Sequence, residues 1–268
     1  MNKQTTVDYT LQLADTALIL AQRNAEWCGH GPVLEQDIAI TNISLDLVGQ
    51  ARNFYQYAAL LINTSKKAGG SKVSPVGGDL EGATEDSLAY LRTEREFKNL
   101  LLVEQPNSDW GQTILRQFLL SQYQYLLYRQ LQNSKDEQLA AIATKSLKEV
   151  TYHLRWSSEW IIRLGDGTEE SHNRMLHAID ELWGYTGEMF EAVSYELQVA
   201  GEGIGVDIAS LKEQWTNKVK EVFEEATLPV PEKVFMQTGG KEGKHTEHLG
   251  FILTELQYMQ RAYPNSEW

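Results

Sequence analysis

Residues 148–156, KEVTYHLRW, place one glutamate and one histidine about a turn apart in a stretch of helical periodicity. Bundles that hold two iron ions take one carboxylate from each of two helices and Glu-x-x-His from each of two others. That spacing matters because residues three apart share a helix face and both reach one metal pair. Here the residue three before His153 is Val150, not Glu149. At about 100° per residue, the apolar stripe Leu147, Val150, Leu154 and Ile161 sets the inward direction; Val150 stands near its centre and Glu149 about 120° away. Glu149 is therefore expected to point sideways or outward and to pair with a nearby cation such as Lys145 or Lys148. His153 lies at the edge of the stripe, where a lone histidine is more often a hydrogen-bonded core residue than a metal ligand.

Two other places read Glu-x-x-His, Glu169 with His172 and Glu242 with His245. Both fall at a helix start or in glycine-rich sequence rather than in a bundle interior, so chance spacing accounts for them. Residues 238–250, TGGKEGKHTEHLG, set two lysines and two histidines just before an apolar helix. Free N–H groups and the helix dipole at such a start favour an anion, with Lys241, Lys244 and His245 as its contacts. The competing reading is a structural turn that docks the last helix. The phosphate-loop spacing is missing, as are G-x-S-x-G and G-x-G-x-x-G, and GEGIG at 201–205 has neither the dinucleotide spacing nor a preceding strand.

Apolar residues recur every three or four positions along nearly the whole chain, with no sustained alternation, so the chain reads as all-α. Helices are expected over about residues 7–24, 33–63, 84–104, 108–132, 134–165, 169–195, 207–226 and 246–262. Their breaks are marked by Gly29, Gly31 and Pro32, by a loop over 65–83 rich in glycine, by Pro106, and by AGEGIG at 200–205. Ser134 with Glu137 reads as a capping box, and Gly165 as a left-handed C-terminal cap.

The second helix is the longest. It carries Leu34, Ile38, Ile43, Leu45, Leu47, Val48, Phe54, Ala58 and Leu61 around most of its circumference, which implies burial on several sides. One narrow polar stripe interrupts it, where Asn42, Asp46, Gln50 and Asn53 share a face. Trp156, Trp160, Trp183 and Tyr185 read as core and subunit interface. Long helices on short loops argue for one bundle: a four-helix core, further helices packed round it, and an apolar flank buried against another subunit.

A net charge of −13 over 268 residues argues against nucleic acid or an anionic membrane as partner, since both need a positive field. The single cysteine, Cys28, allows no intrachain disulfide and too few ligands for a zinc-thiolate or iron-sulfur site. The opening residues, MNKQTTVDYTLQLAD, lack the basic start and unbroken apolar run of a signal peptide, so a cytoplasmic setting is expected.

Five stretches in order, EWCGHGP, SLDLVGQARNF, LLVEQPN, KEVTYHLRW and TGGKEGKHTEHLG, together resemble the C subunits of phenylacetyl-CoA 1,2-epoxidase. These belong to the multicomponent monooxygenase of aerobic phenylacetate degradation, and the resemblance covers nearly the whole chain. It implies one ferritin-like helical domain over residues 1–268, with no catalytic residue and no bound metal or other cofactor of its own. It further implies a core complex with a catalytic A subunit that holds the di-iron centre, beside further subunits including a reductase.

In the catalytic relatives the ligand stretches read D-E-A-G-H and K-E-E-x-F-H. Laid against them, DLVGQ puts Leu47 at the glutamate and Gln50 at the histidine, while KEVTYH puts Val150 at the glutamate and keeps His153. The two remaining carboxylates fall near Ala17 and Ser121. With metal donors lost, Asp15, Asp46, Gln50, Ser121 and His153 are expected to satisfy one another as a buried polar remnant. If the lysines near this helix start meet an anion, the resemblance makes the CoA phosphates the candidate at Lys241, Lys244 and His245. Two readings stand beside it: an independent di-iron carboxylate oxidase with His153, Glu149 and Asp46 as an altered site, and a helical interaction module that self-associates when alone.

Overall fold

The most continuous apolar runs of the chain fold as two long antiparallel pairs. In the computed structural model, which describes residues 3–68, 82–264 and 266, α1 (Lys3–Ala25) packs along α2 (Leu34–Ala68), and α5 (Trp110–Leu131) along α6 (Glu137–Gly165). α1 and α5 are buried round nearly their whole circumference, whereas α6 keeps a one-sided apolar face. Shorter helices close the bundle: α3 (Glu85–Tyr90), α4 (Leu101–Glu104), α7 (Glu169–Leu182), α8 (Ser194–Glu202), α9 (Lys212–Glu225) and α10 (Glu247–Ala262). Every element among the described residues is helical, and buried apolar side chains from Val7 to Leu253 form one continuous cluster. No helix of the described residues is long and apolar enough to cross a membrane.

Helix ends follow local chemistry where short side chains compete for backbone donors. The Asp109 side chain accepts from Gln112 N and starts α5, and Thr168 accepts from Ser171 N to start α7. For α6 the cap is Asp136, whose Oδ1 accepts from Gln138 N and Leu139 N. This corrects the Ser134 capping box: Ser134 Oγ is drawn away to donate to Ile204 O at 2.6 Å while accepting from Asp136 N.

Gly165 is likewise not a left-handed cap. It is the last helical residue, and a Cβ there would meet Ala226 O at 2.4 Å, so it is glycine because the end of α9 lies against it.

Two expected helices are broken by tertiary contacts. The stretch 84–104 divides into α3, a 3-10 turn at Glu94–Glu96, extended backbone at Phe97 and Leu100, and α4. Arg92 ends α3: its Nε donates to Leu88 O at 2.5 Å and its guanidinium turns inward to Asp15, while Asp15 Oδ2 also accepts from Lys98 N at 2.8 Å. The stretch 169–195 stops being α-helical at Leu182 and passes through 3-10 turns at Trp183–Tyr185 and Gly187–Phe190. There the chain segment around Met236 lies against it; Gln237 N donates to Gly184 O at 2.7 Å, and a Cβ on Gly187 would meet Met236 Cγ at 2.6 Å. α2 in turn continues to Ala68, past the expected start of the 65–83 loop, of which residues 69–81 lie outside the described residues.

α2 is not buried on several sides. Ile43, Leu47, Phe54 and Ala58 are in the core, but Leu34, Ile38, Leu45 and Val48 face outward. Its apolar residues serve two faces, only one of which the other described residues cover.

Candidate functional site

The positions marked by sequence spacing converge on the seam between α2 and α6. Leu47 and Val150 are fully buried in the core, as is Ala17 on α1. His153, also fully buried, meets Asp46 across the seam with Nε2 and Oδ2 3.0 Å apart. The Asp46 side chain is 39% exposed, so this pair joins the interior to the surface. His153 Nδ1 is buried and has no hydrogen-bond partner among the described residues.

One helical turn along the seam, Gln50 Nε2 donates to Glu149 Oε2 at 3.0 Å, and Tyr128 OH of α5 donates to Gln50 Oε1 at 3.4 Å. Glu149 therefore does not pair with Lys145 or Lys148: it lies sideways, half-buried, within reach of an amide on the facing helix. A residue about 120° from the stripe centre sits at the helix–helix boundary rather than on the outer face.

The expected polar remnant is four separate sets. Asp46 with His153 is the first, and Gln50 with Glu149 and Tyr128 the second. Ser121 belongs to neither: its Oγ accepts from Gln117 Nε2 at 2.8 Å, and Gln117 Oε1 accepts from Asn24 Nδ2 at 2.6 Å, which ties α5 to α1. With those partners Ser121 forms a third set, and Asp15 stands in a fourth on the other flank of α1. Its carboxylate is gripped by Arg92, accepts from Tyr55 OH at 2.5 Å and is fully buried with the arginine. The guanidinium also lies 4.2 Å from the centroid of the Phe97 ring. These sets are apart because each side chain finds a partner on the element it already packs against.

The donors facing the seam are thus one imidazole and two partly exposed carboxylates already bonded to protein groups. Among the described residues, no group of three or more His, Cys, Asp or Glu is placed to share a metal ion. A di-iron centre needs about six side-chain donors, so these residues do not fit one.

The glycine-rich segment before α10 is a clasp, not an anion cradle. Lys241 is buried, and its Nζ donates to Glu196 Oε2 at 2.9 Å and to Glu191 O at 3.0 Å. Glu188 accepts from Gly239 N, Gly240 N and Leu101 N at 2.7–2.9 Å. Burial raises the Glu188 pKa, and those three N–H donors with the Lys241 charge oppose it.

His245 is bonded by Nδ1 to Glu104 Oε2 at 3.1 Å and by Nε2 to Phe97 O at 3.0 Å, while Glu104 Oε1 accepts from Thr246 N at 2.7 Å. Of the three expected anion contacts only Lys244 is exposed; the other two are taken up inside the fold. Glu242 is exposed and shares no ligand with His245, and His172 Nδ1 lies 2.7 Å from Gly165 O at the end of α6.

Sequence reasoning missed Glu104 as the point where two motifs meet. Its carboxylate receives His245 and Thr246, Asn99 Nδ2 donates to Oε2 at 3.1 Å, and its own carbonyl accepts from Arg23 Nε and Nη2. The signal was present only as a glutamate inside LLVEQPN, just before the helix-ending Pro106.

Comparison with known proteins agrees with these motifs. The family described as phenylacetic acid catabolic protein (PaaA_PaaC) matches residues 1–268. A relative from Escherichia coli (strain K12), named as the C subunit of 1,2-phenylacetyl-CoA epoxidase, is 47% identical over 260 residues, covering 97% of this chain and 98% of the relative. With a match that spans both helix pairs, the α2–α6 seam and the clasp before α10, the chain belongs to the phenylacetic acid catabolic protein family.

Proposed function

We propose that the chain is a subunit of a multicomponent phenylacetyl-CoA epoxidase and has no catalytic centre of its own. The carrying observation is 47% identity to an epoxidase C subunit; the full burial of apolar Leu47 and Val150, at the positions that the resemblance lays against the glutamate ligands of catalytic relatives, supports it. In this reading residues 1–268 form one ferritin-like domain that works in the cytoplasm. The A subunit holds the di-iron centre, and a reductase subunit supplies two electrons. One oxygen atom of dioxygen enters the aromatic ring of the CoA thioester and the other leaves as water.

This chain's own part is mechanical. Its core holds α2 and α6 in fixed register, through the Asp46–His153 and Gln50–Glu149 bonds, so that a rigid helical face is presented to the A subunit. Preformed rigidity lowers the ordering cost of assembly and keeps the partner's site in one geometry.

Co-expression with an A-type subunit tests this. The complex is expected to co-purify and to epoxidise phenylacetyl-CoA, while the chain alone, loaded with iron under anaerobic conditions, retains less than one iron and consumes no oxygen. About two irons per chain with oxygen consumption by this chain alone would establish the independent oxidase instead. Absence of any complex would leave a self-associating helical module.

A further inference from the structure

His245 stands just before α10 with both ring nitrogens against acceptors: Nδ1 lies 3.1 Å from Glu104 Oε2 and Nε2 3.0 Å from Phe97 O. A carbonyl offers only lone pairs and a neutral imidazole carries a single N–H, so a neutral ring would set lone pair against lone pair at one of the two. Moving the proton onto Glu104 does not resolve this. That carboxylate already accepts from Thr246 N on Oε1 and from Asn99 Nδ2 on Oε2, which favours its ionised form. The geometry is that of an imidazolium–carboxylate pair, with side chains 2 and 0% exposed.

The same carboxylate starts the helix. Thr246, the N-cap of α10, makes no side-chain capping bond, and its N–H is received by Glu104 instead. A negative group is favourable at a helix N-terminus, but a buried one is costly unless a cation lies beside it, and His245 is that cation. The rest of the attachment is slight. α10 buries Leu249, Ile252, Leu253 and Gln257, while Phe251, Tyr258 and Met259 on its other side are exposed. Towards its far end Gln257 Nε2 donates to Arg92 O at 2.9 Å. The clasp ahead of the helix keeps separate ties, Lys241 to Glu196 and Glu188 to Gly239 and Gly240, so the unit that His245 governs is α10.

The other charged groups on the elements around this latch have partners of their own or face solvent. Asp15 on α1 is neutralised by Arg92, and Arg23 on α1 donates to the Glu104 carbonyl. On the 3-10 turn Glu94 and Arg95 are exposed and Glu96 accepts from Thr93 N. α3 brings Asp86 and also Glu85, which Gln56 of α2 holds. Lys244 and Glu247 are exposed, and Tyr185 feels the Glu104 charge without bonding to the ring.

We propose that α10 is a proton-held arm: with His245 protonated it is docked, and loss of that proton releases it as a unit from α3 and α4 while the rest of the bundle stays folded. Burial lowers the His245 pKa, but the hydrogen bond and charge of Glu104 with the Phe97 carbonyl raise it by more. The latch is therefore complete below about pH 6.5 and is lost as pH rises through the raised value, so release lies on the alkaline side. Release frees an amphipathic helix and uncovers the apolar surface beneath it.

Hydrogen exchange of the full chain tests this from about pH 6 to about 8.5, read as protection factors so that the intrinsic acceleration of exchange with pH is removed. The range stops below about 9, where buried Arg116 also titrates. Amides 249–257 of α10 are expected to lose protection at least about 10-fold, the size of one charge-assisted hydrogen bond, while amides 114–127 of α5 keep theirs. Glu104→Gln, which keeps shape and an acceptor but removes the charge, should move the loss to lower pH, and His248→Gln should leave it where wild type has it. His245→Gln should show low α10 protection throughout. Constant α10 protection in wild type, equal loss in α5, or a midpoint that Glu104→Gln leaves unmoved would overturn the proposal. Should the variants not fold, the ring nitrogens of wild-type His245 decide by ¹⁵N chemical shift. Two protonated nitrogens in the docked state, turning neutral as α10 loses protection, support the latch, and a neutral ring in the docked state overturns it.

Discussion

At the scale of single residues, His153 is a fully buried imidazole with a structural partner. Its Nε2 faces Asp46, and Leu47 and Val150 fill the neighbouring core. Removing the carboxylate leaves a buried imidazole without that bond, so Asp46→Ala is expected to lower the unfolding free energy by about 1–2 kcal/mol in urea denaturation. Asp46→Asn, which keeps an acceptor, should cost less. If both variants unfold like wild type, His153 does not depend on this pair. That Val150 points inward and Glu149 does not was legible from the 100° step alone. The partner of Glu149 was not, because the amide of Gln50 reaches it only through the register of α6 against α2, which no local pattern encodes.

At the scale of elements, the last helix is docked by a histidine rather than by apolar contact alone. Burial lowers the His245 pKa, but its hydrogen bond to Glu104, the charge of that carboxylate and the Phe97 carbonyl outweigh burial and hold it above the ordinary imidazole value. A histidine whose folded pKa is raised stabilises the protonated fold. Its contribution is complete below about pH 6.5 and is lost as pH rises through the raised pKa. Wild type should therefore lose denaturant stability over that interval relative to His245→Gln, and the difference between the two proteins should level off at high pH. A pH-independent difference would mean that His245 does not change charge there. The clasp fits the docking turn that stood beside the anion site for TGGKEGKHTEHLG: the cations were recognisable in sequence, whereas Glu196 and Glu104, which neutralise them, lie 45 and 141 residues away.

At the scale of the whole molecule, the Asp15–Arg92–Tyr55 set joins α1, α2 and the chain beyond α3 through a buried charge pair. Taking away one charge strands the other in the core, so Arg92→Ala is expected to destabilise the fold by about 3–5 kcal/mol. Arg92→Met combined with Asp15→Leu should recover much of that loss, because it removes both charges and keeps apolar volume. Equilibrium unfolding of the three proteins measures this; a double variant no more stable than Arg92→Ala would show that the pair is required for its geometry and not only for neutralisation.

Read from the chain alone were the features that depend on neighbours within about a turn: the all-α class, the extent of the long helices and the inward place of Val150. Motif order across the chain likewise pointed to the family. The tertiary structure alone decided where helices 84–104 and 169–195 break, since Arg92 and the chain segment around Met236 end them from a distance. It also separated one expected polar remnant into four sets and turned a lysine–histidine loop into a clasp. The physical reason is the same in each case: a buried polar group must be paired, and which partner lies within about 3 Å is set by helix packing.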